Sequence, residues 1–163
     1  MTTASAAAPS RRALAYTSLE DILADIETLT AGPVRSVGNW SAAENVDHVR
    51  RLMRYSREGG SVRLPLPMRL MGRLLKRSVL TKPIKPGFKV PAGAADAFSP
   101  DPNITLPDAV AALREEIALA SAPGAMCHPS PLVGPLTHDE WTQVHCRHAE
   151  LHFSHLVPDD AGA

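Results

Sequence analysis

The chain has only two cysteines in 163 residues, Cys127 and Cys146, and they form no CxxC pair. No disulfide is predicted, and reduced thiols in a cytoplasm are the expectation. Charge of either sign in excess is also missing, with Lys plus Arg equal to Asp plus Glu at 17 each. The whole chain therefore has no pull toward nucleic acid or membranes, and basic runs interleaved with aromatics are absent as well. No apolar run is long enough to cross a bilayer, and the N-terminal MTTASAAAPSRR has paired arginines with no apolar stretch behind them, unlike a signal peptide. Alternating β-branched residues are scarce, which argues against a sheet-based architecture.

What is present is a set of legible helix starts. A capping box places Ser or Thr at the N-cap and an acid three residues later, each satisfying a backbone N–H that the first turn leaves unpaired. Thr17 with Glu20 predicts a helix running to about Thr30, with Leu19, Ile22, Leu23, Ile26 and Leu29 at helical spacing. Ser41 with Glu44 predicts a second, SAAENVDHVRRLMRYS, ended by Gly59 and Gly60. The segment PDAVAALREEIALASA reads as another, with Pro107 in its first turn and Gly124 beyond its end. Thr137 with Glu140 opens the last, HDEWTQVHCRHAELHFSHLV, closed before Pro158.

Between the second and third of these lie a short apolar and basic piece, PMRLMGRLLKRSVL, and a Pro- and Gly-containing link from Lys82 to about Thr105. The fold expected is all-α: an up-down four-helix bundle with a short extra helix and one long crossing segment. The expected organisation is a loose tail over residues 1–12, one domain over 13–158, and a C-terminal tail over 159–163.

The chemistry concentrates in histidine. Five of the seven lie between His138 and His155. On a helix, residues three or four apart share a side, so Trp141, Val144, His145, His148, Leu151, His152 and His155 are expected on one apolar face, with Cys146 pointing away. His148 and His152 form HxxxH, which stacks two imidazoles on successive turns where one metal ion can accept both. His48, the one histidine on the other helices, is the candidate third ligand. The pairs His145 with His148 and His152 with His155 are adjacent on the same face and stay open as alternatives, as do histidines that simply hydrogen-bond within a core. Trp40 and Trp141 are expected to pack in the core. Glu44, one turn before His48, and Glu150, inside the HxxxH but pointing away into solvent, are the carboxylates to consider for acid–base work. His128 reads as a residue shaping the turn before the last helix.

Three stretches, GNWSAAENVDHVRRLMRYS, HPSPLVGPLTHDEW and RHAELHFSHL, together resemble an uncharacterised bacterial branch of the DinB-like superfamily over nearly the whole chain from Ala13. The resemblance implies an up-down four-helix bundle with a divalent metal, commonly zinc, nickel or iron, on one histidine of the second helix and two of the last. Those positions are His48, His148 and His152. It implies a site that activates a small thiol or water, in the manner of a thiol S-transferase or a hydrolase, with a small-molecule substrate such as a low-molecular-weight thiol or another anion. The expected partners exclude nucleic acid and membrane, and the resemblance allows a homodimer. The alternative is a noncatalytic bundle with structural histidines that serves as a binding or interaction protein.

One electrostatic feature stands apart from the histidines. From Arg63 to Lys89 there are eight basic residues, and no acid occurs between Glu58 and Asp96. Such a run can receive an anionic substrate, form a solvated face, or rest on anionic lipid, the last reading weakened by its short length and by Gly72.

Overall fold

The structure, a computed structural model, describes residues 11–84, 87 and 95–159. Most of the expected N-terminal tail, all but the first residue of the C-terminal one, and much of the Lys82–Thr105 link, including Lys85 and Lys89, lie outside the described residues. The chain is mostly helical: α1 (Leu19–Thr30), α2 (Ala42–Glu58), α3 (Leu66–Leu74), α4 (Lys76–Thr81), α5 (Leu106–Ala120) and α6 (His138–Phe153). A 3-10 turn spans Asp96–Phe98. Strands β1 (Val34–Ser36) and β2 (Leu156–Pro158) pair antiparallel, with Arg35 opposite Val157.

The caps explain where the helices begin. Ser41 and Glu44 close a capping box on α2, and Thr137 and Glu140 close one on α6. On α1 the box is one residue later than expected, at Ser18 with Asp21, whose carboxylate also accepts from the N–H and hydroxyl of Thr17. The overlapping TSLED offers both registers, and the one adopted makes Leu19 the first helical residue, where it is buried. Gly59 ends α2 at φ +73°, a backbone that L side chains rarely adopt.

Helix α2 packs against both α5 and α6, and α1 packs against the same two. The core they enclose is built from Ile22, Ile26, Val46, Val49, Met53, Leu113, Trp141 and Phe153. Direction follows from the contacts. Asn45 meets His152 and Ser56 meets His145, so α2 and α6 are antiparallel. Asp47 meets Asp101, ahead of α5, and Arg57 meets Glu116 near its end, so α2 and α5 run the same way. The alternation of a simple up-down order is therefore broken between α2 and α5, and the long crossing segment is what returns the chain to the starting end.

Helix α6 is buried on more than one face. Cys146, expected to point away, is 1% exposed against α1, with its thiol 3.5 Å from the Ser18 carbonyl. Glu150, expected in solvent, is also buried, accepting from the Tyr16 N–H at 2.7 Å and pairing with Arg147. The helix also stops earlier than the sequence predicts: Ser154 caps it, and Leu156–Pro158 leave as β2 to pair with β1. His155 thus stands in the turn and not on the helical face. Among the described residues no helix is long and apolar enough to cross a membrane.

Candidate metal site

Three rings meet where the first half of α2 faces the second half of α6. His48, His148 and His152 each offer a nitrogen, and these nitrogens all lie within 4.8 Å of one another. Ring centroids are 4.9 Å apart for His48 and His148, 4.5 Å for His48 and His152, and 4.6 Å for His148 and His152. The HxxxH pair and the single histidine of α2 are brought together, and neither His145 nor His155 belongs to the cluster. Among the described residues this is the one such cluster of His, Cys, Asp or Glu.

Hydrogen bonds aim two of the rings. His48 Nδ1 is 2.7 Å from the Phe98 carbonyl, which can only accept, so Nδ1 carries the hydrogen and Nε2 keeps its lone pair. His152 Nδ1 is 3.3 Å from Asn45 Oδ1. The Asn45 amide nitrogen donates to the Trp40 and Ser41 carbonyls, which fixes Oδ1 as the atom facing His152 and leaves Nε2 of that ring with its lone pair free. Outer acceptors of this kind set the tautomer of metal-binding histidines. His148 Nε2 is 3.1 Å from His48 Nε2, and its enclosed Nδ1 has no partner among the described residues, so no oxygen acceptor orients that ring.

Burial keeps the cluster neutral. It pushes the His48 imidazole down, with the Phe98 carbonyl opposing, and it pushes His152 down to about 3, with His48 adding to the effect. His148 is driven well below its ordinary value by burial and then by the other two rings. Neutral imidazole is the form that binds a cation. The donor set, three nitrogens with no carboxylate, is the kind that zinc, nickel or iron accepts. The residues present therefore fit a divalent cation.

The comparison with family models agrees with the extent of this fold. A model described as "Protein of unknown function (DUF1569)" matches residues 8–159. The chain belongs to that family. Neither the curated proteins nor the solved structures contain a match to it. The DUF1569 span holds the three histidines and every residue that orients them.

Those orienting residues are what the sequence reading missed. Trp40, expected in the core, is half-buried and stacks on His152 with centroids 5.6 Å apart and planes 17° apart, while its ring also lies 4.7 Å from that of His48. Asn45 carried a signal, since it lies one turn from His48 on the same stripe; Phe98 carried none, being in a segment without periodicity. Glu44 is committed to its cap, accepting from the Ser41 N–H at 2.8 Å.

The remaining histidines do other work. His145 is fully buried, stacked on Trp141 at 5.2 Å, with Nε2 3.0 Å from the Ser56 hydroxyl. His128 lies over Gly59, at the far end of α2, and its carbonyl accepts from the Trp141 indole N–H. His155 packs against Gly38.

Proposed function

We propose that this chain is a metal-binding four-helix bundle of the DinB-like kind, in which His48, His148 and His152 together hold one divalent cation, zinc, nickel or iron. The loaded site acts on a small thiol or on water, in a transferase-like or hydrolase-like reaction on a small-molecule substrate. The observation that carries the reading is the convergence of three ligand nitrogens, two of them on rings whose other nitrogen is spent on an oxygen acceptor. Three neutral ligands leave the ion's charge uncompensated, so the chemistry it supplies when bound is Lewis acidity toward a thiol or water.

The chain's own contribution is positional. Phe98 and Asn45 hold two rings in one tautomer, and Trp40 walls the site beside His152 and His48. Neither carboxylate weighed from the sequence is available for proton transfer. Glu44 is bound in its cap, and Glu150 is held by the Tyr16 N–H and Arg147.

The test is metal content after purification without a polyhistidine tag, for the native chain, His148→Ala and His152→Ala. The native chain is expected to retain close to one equivalent and both variants almost none. Equal and negligible metal in all three overturns the reading and leaves a noncatalytic bundle with structural histidines. With metal present, a screen of small thiols against electrophiles, run beside ester and amide hydrolysis, separates transferase from hydrolase.

A further inference from the structure

Helix α3 touches the body of the protein through its one glycine. Gly72 is buried, and a Cβ there would come within 2.3 Å of the Leu132 carbonyl oxygen. The residue that weakens the helix in isolation is thus what lets it lie close on the 130–134 loop. Leu66, Leu70 and Leu74 follow at intervals of four, so they form one stripe on the side remote from Gly72. Leu66 and Leu74 are 73% exposed and Leu70 is 59% exposed, with Met71 and Leu75 beside them. Five of the six large apolar side chains most exposed among the described residues fall in this ten-residue stretch, so the exposure is a patch and not scatter.

The surroundings of the patch are basic. Arg63, Arg69, Arg73, Arg77 and Lys82 are all exposed and form no ion pair among the described residues, whereas Lys76 is spent on Glu140. No acid occurs anywhere from Ser61 to Ala95.

We propose that α3 and its basic flank form a docking face for an anionic lipid surface. The two properties of the patch are those such a surface satisfies together: apolar depth for the leucines, negative headgroups for the guanidinium groups. The chain's overall neutrality argued against a membrane partner, but the field that matters is local, and screening confines it to roughly 8 Å at physiological salt. A second copy of the chain fits less well. A two-fold contact through the same face brings two sets of arginines together with no carboxylate in the segment to meet them.

The experiment is co-sedimentation of the full chain with vesicles of phosphatidylglycerol and phosphatidylcholine, compared with phosphatidylcholine alone, at low and high salt. Binding is expected to the anionic vesicles only and to fall with salt. Leu70→Asp with Leu74→Asp, both exposed positions, should reduce it at least tenfold. Arg69→Gln with Arg73→Gln should reduce it by roughly fivefold per arginine removed, with circular dichroism showing each variant folded. Absence of binding to anionic vesicles by the native chain overturns the proposal. So does equal binding to both vesicle types, or a dimer in sedimentation equilibrium that the leucine pair abolishes.

Discussion

Asn45 Oδ1 lies 3.3 Å from His152 Nδ1 while the Asn45 amide nitrogen is held by the carbonyls of Trp40, at 3.2 Å, and Ser41, at 2.9 Å. One amide thereby ties the start of α2 to the orientation of a histidine on α6. Asn45→Leu keeps similar bulk but removes both the acceptor and the donor. It is expected to weaken zinc binding by about 10–100-fold, as loss of an outer-shell partner does. Competition against a chromophoric chelator measures this, and wild-type affinity in the variant would show that packing alone orients His152.

Gly72 carries an opposite expectation from its local propensity. In an exposed helix, Gly→Ala stabilises by about 0.5–1 kcal/mol. Here the new methyl meets backbone, 2.3 Å from the Leu132 oxygen and 2.9 Å from its carbon, and overpacking of this sort costs about 1–3 kcal/mol. Gly72→Ala is therefore expected to lower stability in urea denaturation. Gly32→Ala, where a Cβ meets nothing within 4 Å, is the control and should change stability by less than about 0.5 kcal/mol. A stabilised Gly72→Ala chain would mean that α3 does not sit on the 130–134 loop.

The surroundings of the three histidines show what the sequence could and could not yield. HxxxH is a local pattern, readable because four residues bring two rings to successive turns, and His48 stood out as the remaining helix-borne histidine. Phe98 has no such period, and its carbonyl reaches His48 in a segment held to α2 by the Asp101 N–H on Asp47 and by the Phe98 ring against Tyr55. The end of α6 was misplaced for a similar reason. Leu156–Pro158 continue the apolar character of the helix, and what draws them into a strand is pairing with Val34–Ser36, more than a hundred residues earlier. Caps were legible at Ser41 and Thr137, where one register was on offer, and slipped at Thr17–Ser18, where burial of Leu19 chose between two.

His145 makes the folded state sensitive to acid. Burial, and secondarily the nearby His138, push its imidazole down to about 3. Ser56 donates its hydroxyl to the Met53 carbonyl at 2.6 Å and so must accept from His145 Nε2–H, an arrangement that needs only the neutral ring. The folded value lies below the unfolded one, near 6.5. The unfolded chain therefore takes the proton first, so stability is full above about pH 6.5 and is lost as pH falls toward 3. Between pH 7 and pH 5 this one ring accounts for about 2 kcal/mol. His145→Phe preserves the stack on Trp141 and should shrink the difference in urea stability between those two pH values by about that amount. An unchanged difference would place the acid sensitivity elsewhere.

Asp47 joins stability to the histidine cluster. Its side chain is buried and accepts from Arg50, from Arg51 at 2.7 Å, and from the Asp101 N–H at 2.9 Å. Burial pushes the carboxyl up, but the Asp101 N–H and the two guanidinium groups outweigh it and hold the group below its usual range. Asp47→Ala strips the Asp101 N–H of its acceptor and frees the segment that carries Phe98. Because both arginines retain some solvent, the expected cost is about 2 kcal/mol, below the full penalty for a dry pair. With Phe98 less firmly placed, His48 loses the acceptor that fixes its tautomer, and zinc affinity is expected to fall by about tenfold. Asp47→Asn can still accept from the Asp101 N–H, so it should recover most of the affinity while losing part of the stability. Urea denaturation and chelator competition on the same two variants separate these effects, and a loss of affinity equal in both would refute the link through Asp101 and assign the effect to charge beside His48.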